Sequence, residues 1–283
     1  MPRRQGGYTN IRPEEAQRLI REESVRVLDV RTPAEYRDLG HIPGAVLLPV
    51  DVVVAGLATL PRDGRKLLVC CEHGIRSAAA ARLLDQGGMP DILNLSGGMS
   101  VWRGEREFTS GDPFAMGPSS WLVLNADLLA PGGRVLDVAC GSGRNALLLA
   151  AAGFVVQAAD RDASRIETLR ETAARLGLNL DARILDLEAG LVDLGDEVFE
   201  TVLVFHYLHR PLFPALTRCL KPGGILLYET FTRAQALRGK PSNPAYLLEE
   251  GELKERIGSL KVLREREGEF EGRMVAAVAA QRS

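Results

Sequence analysis

Cysteine is scarce in this chain. Its 283 residues hold four, Cys70, Cys71, Cys140 and Cys219, with no CxxC pair and no regular spacing. That excludes a disulfide framework and leaves thiols that are core residues or reactive groups in a reducing compartment. An excess of one charge is also missing: 35 Lys+Arg stand against 37 Asp+Glu, for a net charge of −2. Neither half, split near residue 110, is basic, so no broad electrostatic footprint for nucleic acid exists, although a local basic groove is compatible with the sequence. Long apolar runs are absent as well. The longest, residues 146–156, is too short to cross a bilayer and contains glycine. The opening MPRRQGGYTNIRPEE lacks the apolar centre of a signal peptide. A cytoplasmic protein without a membrane partner is expected. The two halves share no repeat, so a duplication is not indicated.

What remains is an ordinary globular composition, 46% hydrophobic and 25% charged, at a length that suits two domains. Residues 25–30, 66–70 and 92–95 read as short buried strands. Residues 13–22 and 77–85 read as helices, the second ending at Gly87-Gly88. Alternating strands and helices imply a mainly parallel sheet with helices on both faces. The stretch 104–120 is rich in Gly, Pro, Ser and charge and reads as a linker. Strands then resume at 134–139, 155–159, 182–185, 201–205 and 225–230. Segments 262–267 and 274–280 form an expected terminal antiparallel hairpin. The fold class is therefore α/β in two domains, 1–106 and 117–283, joined by 107–116.

Two loops carry chemistry. The first is LLVCCEHGIRS, where an apolar strand ends in Cys70-Cys71 and a helix opens after Arg76. Ligands bind at this carboxyl edge of an open sheet. Loop N–H groups, the helix N-terminus and Arg76 would all favour a Cys71 thiolate, and Gly74 permits the sharp turn. A metal lacks a second ligand pair beside Cys71 and His73. The cysteine phosphatase family places five residues between Cys and Arg; here four intervene, Glu72, His73, Gly74 and Ile75, and the smaller ring suits a terminal sulfur.

Residues 1 to about 106 resemble a single-domain rhodanese. The motifs are Leu28-Asp29-Val30-Arg31 with Glu35-Tyr36 and residues 40–45, the loop 71–77, and residues 95–99 with Trp102. The resemblance implies that Cys71 carries sulfane sulfur as a persulfide, with Arg76 beside it and the loop from Glu72 to Arg76 holding it. A sulfane sulfur donor is then a partner. Asp29, Arg31 and His41 would support the loop, and Cys70 would be core. The alternative is a docking module that recruits the second domain to a partner.

The second loop is VLDVACGSGRN. No Gly-Lys-Ser/Thr follows, so it is not a P-loop, and the third glycine of the dinucleotide pattern is missing. Asp137 would repel a pyrophosphate but can receive an amino-bearing ligand. Asp160 stands where an acid accepts hydrogen bonds from ribose hydroxyls. With Asp186-Leu187 and residues 220–224, residues 117 to 283 resemble a class I S-adenosylmethionine-dependent methyltransferase with a Rossmann-like sheet. The resemblance implies S-adenosyl-L-methionine as cofactor. Asp137, Ala139, Gly141 and Gly143 would hold its amino acid part, Asp160 and Arg161 its ribose, and Asp186 and Leu187 its adenine. Phe205 would lie near the sulfonium. Cys140 would be a packing residue.

The Asn/Asp-Pro-Pro-aromatic motif of amide and base methyltransferases is absent after Phe205. His206 and Tyr207 could orient or deprotonate a small-molecule acceptor, and residues 232–248 could cover it as a lid. Residues 139–144 and 228–231 resemble small-molecule and tellurite-resistance methyltransferases; the joining of the two resemblances on one chain points to a sulfur or chalcogen delivered by the first domain as acceptor in the second. No metal site is indicated, and the oligomeric state is not encoded in any motif.

Overall fold

Continuous apolar runs form the central strands, as their pattern predicts. The computed structural model describes residues 3–5, 7–50, 52–54, 56–60, 62–108, 117–175, 177–190 and 192–283. The chain divides into two units, Met1–Asp127 with Ala151–Gly153, and Leu128–Ala150 with Phe154–Ser283.

The first unit holds β1 (Arg3–Gln5), β2 (Tyr8–Ile11), α1 (Pro13–Arg21), β3 (Val25–Asp29), α2 (Pro33–Asp38), β4 (Val46–Leu47), β5 (Lys66–Cys70), α3 (Ile75–Gln86), β6 (Ile92–Leu95) and α4 (Ser120–Leu124). The sheet order is β1-β2-β6-β5-β3-β4. Among the described residues, only the β1–β2 pair of this sheet is antiparallel. Helix α2 starts where Thr32 and Glu35 form a reciprocal capping box with Pro33 in the first turn. Leu28, Leu68, Val69, Ala80, Leu84 and Leu95 fill the core without exposure. Two short strands, β1 and β2, precede the first strand expected from the sequence, and α3 starts two residues before the expected Ser77. Residues 109–116 of the expected linker lie outside the described residues. Glu107 exchanges backbone hydrogen bonds with His41, so this unit's main chain extends to that position.

The second unit holds β7 (Arg134–Val138), α5 (Arg144–Ala151), β8 (Val155–Asp160), α6 (Ala163–Arg175), β9 (Leu180–Ile184), β10 (Phe199–Phe205), α7 (Phe213–Cys219), β11 (Leu220–Phe231), α8 (Glu252–Arg256), β12 (Lys261–Phe270) and β13 (Arg273–Gln281). The order β12-β13-β11-β10-β7-β8-β9 reverses direction between β7 and β10. Strands β7 to β11 run parallel, β13 runs antiparallel to β11, and β12 pairs antiparallel with β13 in the expected terminal hairpin. The crevice outside the carboxyl ends at such a reversal is where open α/β sheets bind ligands. Among the described residues, no helix is long and apolar enough to cross a membrane.

Candidate active sites

The chain turns immediately after β5. Gly74 caps α3 with a φ of +82°, a left-handed conformation that glycine adopts at no steric cost. The turn curls the loop over Cys71. Gly74 donates its N–H to Sγ at 3.1 Å and Ser77 at 3.2 Å, while Ser77 Oγ lies 3.3 Å away. Cys71 is 1% exposed. Three polar groups thus converge on one sulfur, and the amino end of the 12-residue α3 adds positive potential. Ser77 was quoted in the sequence motif, but the run 77–85 read as helix hid its part in holding the sulfur.

Two supports fix the loop from behind. Arg31 is fully buried; it bonds both oxygens of Asp29, the Gly40 carbonyl at 2.8 Å and Glu72 Oε2 at 2.9 Å. The Met99 N–H donates to the Cys71 carbonyl at 2.8 Å and the Ser100 N–H to that of Glu72 at 2.9 Å. His41 stacks on Tyr36 with ring centroids 3.6 Å apart. The Arg76 guanidinium turns to Glu35, at 2.8 and 2.5 Å, and this pairing holds the Glu35 carboxyl at about 2. Its charge is therefore shared with a carboxylate, and the backbone N–H groups and Ser77 are the groups on the sulfur. His73 and Ile75 face solvent, Ile75 being 78% exposed. Cys70 is fully buried, and burial pushes its thiol well up.

In the second unit, β7 delivers Asp137 to the switch point. Burial raises its carboxyl to about 7, and its Oδ2 is buried without a hydrogen-bond partner. Ala139 follows with a φ of +54°, then Gly141 and Gly143 at +57° and +78°. Left-handed Ala139 is the kind of local strain that functional loops retain. A Cβ on Gly143 would lie 2.4 Å from Leu169 of α6, so glycine lets loop and helix approach. Asp160, ending β8, accepts the N–H of Gly141 at 2.8 Å and of Asp162 at 2.9 Å. Asp186 is exposed and accepts the Glu188 N–H, Leu187 is buried, and Phe205 closes β10. An orphaned buried carboxylate oxygen beside an open left-handed turn fits an amino-bearing ligand. Arg161 is exposed, 4.0 Å from Glu188. Burial raises the half-buried Cys140 thiol, consistent with packing.

His206 and Tyr207 diverge. His206 has a φ of +57°, which swings the two side chains apart. Its ring stacks on Phe231 at 4.9 Å, with Nε2 3.4 Å from Arg273 Nη1 and 4.0 Å from Glu229 Oε1. Burial, then the charges of Arg144 and Arg273, lower it to about 4. Glu229 is itself raised by burial and takes two bonds from Arg266 on its Oε2. Tyr207 instead directs its hydroxyl to Glu188 at 3.5 Å, and burial followed by Glu188 and Asp186 raises it. The structure thus brings His206 together with Arg144, Arg273 and Glu229, which sequence reasoning did not single out. Arg144 follows the glycine turn and Glu229 sits in the segment 228–231, so both were within reach; Arg273 had no local signal. The segment 232–248 is closed at its base, where Leu248 donates to Phe231 O and Arg233 to Leu248 O.

Two family models match the chain: "Rhodanese-like domain" over residues 12–105 and "Tellurite resistance protein TehB" over residues 111–269. The thiosulfate sulfurtransferase GlpE of Pseudomonas paraeruginosa is 38% identical over 96 residues, covering 34% of this chain and 84% of that protein. A probable S-adenosyl-L-methionine-dependent methyltransferase TehB of Haemophilus influenzae is 29% identical over 99 residues, 35% of this chain. The match spans only 35% of that relative's length. The crystal structure of TehB from Haemophilus influenzae aligns at a TM-score of 0.49 and 23% identity, covering 57% of this chain and 61% of that one. With a rhodanese-like domain in its first part, the chain belongs to the TehB family, and it is an enzyme of the S-adenosylmethionine-dependent methyltransferase class.

Proposed function

We propose that the chain is a bifunctional cytoplasmic transferase, with functional domains at 1–106 and 117–283 joined by 107–116. In the first, Cys71 takes sulfane sulfur from a donor and holds it as a persulfide. In the second, a methyl group passes to a small anionic acceptor of sulfur or another chalcogen. The observation that carries the first half is the pair of backbone N–H groups, of Gly74 and Ser77, that donate to Cys71 Sγ, with the Ser77 hydroxyl beside it accepting from the thiol. Arg76, steadied by Glu35, is the nearby cation for an anionic donor.

The second half rests on Asp137. S-adenosylmethionine supplies an electrophilic methyl on a cationic sulfur. Asp137 would receive its amino group, and Ala139, Gly141 and Gly143 would shape the turn around the amino acid part. Asp160 and Arg161 would face the ribose, Asp186 and Leu187 the adenine, and Phe205 the methyl-bearing sulfur. Tyr207, bonded to Glu188, would then stand on the adenine side. The cations at His206 favour an anionic acceptor, and binding both partners in line supplies the rate through positioning. The test is calorimetric titration with S-adenosylhomocysteine. Wild type should bind it, and Asp137→Ala should bind it roughly ten- to hundredfold more weakly, as expected for a lost charge-assisted hydrogen bond. Equal affinities would remove Asp137 from the site.

A further inference from the structure

We infer that the methyl acceptor is a small hydropersulfide anion, R–S–S⁻, whose outer sulfur has come from Cys71, so that the two sites act in sequence on one sulfur atom. The inference rests on the bifunctional function proposed above.

The first observation is the burial of the carrier. At 1% exposure, under a loop pinned by Arg31 and by the Met99 and Ser100 N–H groups, Cys71 is closed to a bulky nucleophile. A small thiol meets that limit. The second observation is the chemistry of the acceptor edge. The His206 ring is faced by Arg144 and Arg273, and its Nε2 lies 3.4 Å from Arg273. Glu229 is bonded twice by Arg266. His206 and Glu229 are thus each engaged by an arginine, and Glu271 also faces Arg144 and Glu229. An acceptor that arrives already ionised needs no base from this edge and pairs with Arg273. Hydropersulfides are stronger acids than thiols, because the second sulfur spreads the charge, and they are largely anionic near neutrality. Phe231, stacked on His206, adds an aromatic contact suited to polarisable sulfur.

The bookkeeping closes. The Cys71 thiolate attacks the outer sulfur of thiosulfate, the S–S bond breaks, and sulfite leaves with the electron pair, giving Cys71–S–S⁻. That persulfide takes up one proton. A small thiolate R–S⁻ then attacks the outer sulfur. The bond to Sγ breaks, Cys71 recovers its thiolate and R–S–SH departs. It loses its proton to water. At the second site its terminal sulfur forms a bond to the methyl carbon as the carbon–sulfonium bond breaks, and R–S–S–CH3 and S-adenosylhomocysteine result. No oxidant is needed.

The experiment uses the full-length protein, thiosulfate carrying a heavy isotope in its outer sulfur, cysteine as the thiol, and S-adenosylmethionine. Intact mass follows loading and discharge of Cys71, and mass spectrometry of the small molecules follows the label. The label should appear in a methylated disulfide in an amount matching the sulfur lost from Cys71. Cys71→Ser should yield none from thiosulfate, and chemically made cysteine hydropersulfide should restore the product. Arg273→Met should still discharge Cys71 but form the methylated product roughly ten- to hundredfold more slowly. Its weaker binding of hydropersulfide, read by calorimetry with S-adenosylhomocysteine present, is a readout independent of turnover. If Cys71 loads and discharges and S-adenosylhomocysteine binds, yet the label leaves unmethylated, the coupling is wrong and the bifunctional function stands. If Cys71 loads from neither thiosulfate nor other sulfane donors, both fall.

Discussion

Replacing Gly98 with alanine should damage the sulfur loop without touching the sulfur. Gly98 has a φ of +67°, where a side chain costs roughly 1–2 kcal/mol. Its new Cβ would fall 2.3 Å from the Cys71 carbonyl oxygen and 2.6 Å from that of Glu72. Both are backbone atoms and neither can rotate away. The segment must retreat, and the bonds from Met99 to Cys71 and from Ser100 to Glu72 go with it, at about 1 kcal/mol each. The expected loss is about 3–4 kcal/mol. Gly88→Ala is the control: its φ is +79°, but nothing lies within 4 Å of the added carbon, so only the conformational cost of roughly 1–2 kcal/mol applies. Trp102 lies in the first domain and Trp121 in the segment matched by the second, so urea unfolding followed by tryptophan fluorescence in a Trp121→Phe background reports on the sulfur-carrying domain. Sulfur loading from thiosulfate should slow roughly tenfold or more in Gly98→Ala and little in Gly88→Ala. Equal stabilities and equal loading rates would refute the claim that the segment after β6 braces the loop.

Three further outcomes are expected. Removing the Ser77 hydroxyl with Ser77→Ala, which keeps the N–H bond to Sγ, should slow loading roughly fivefold, a change of about 1 kcal/mol, with wild-type thermal stability; an unchanged rate would make the hydroxyl a bystander. Asp137 ionises in the unfolded chain near its ordinary 3.8 but in the unliganded fold only at about 7, so stability should fall as pH rises across that window and then level off. Asp137→Asn should flatten this decline in thermal denaturation, and affinity for S-adenosylhomocysteine should rise with pH over the same window in wild type alone. Because His206 is held at about 4, methyl transfer should show no inflection near the ordinary histidine value of about 6.5; a bell centred there, lost in His206→Gln, would assign His206 a proton-transfer step.

Much of the fold was legible because buried parallel strands write themselves as apolar runs. Residues 66–70 and 92–95 match β5 and β6 to the residue. The misses have physical causes. Strand β2, YTNI, is half polar, and its inward Tyr8 and Ile11 are too few to make a pattern. Strand β12 alternates charge along an edge, with most of its residues partly or fully exposed, so its length was hidden. The start of α3 was misplaced because Ile75 faces outward and Arg76 turns to Glu35, which leaves no apolar period there. At the sites, the motif residues Cys71, Gly74, Asp137 and Asp160 were visible through local spacing. Arg273 was not, because it meets His206 across 67 residues of sequence. Nor was the parting of His206 from Tyr207, which depends on one backbone angle.

The most direct measurement is intact mass after incubation with thiosulfate, for wild type and Cys71→Ser. A gain of one sulfur in wild type, absent from the variant and removed by a small thiol, is the predicted result. A wild-type chain that stays unmodified with thiosulfate and with other sulfane donors would contradict the persulfide carrier and leave the first unit as a docking module.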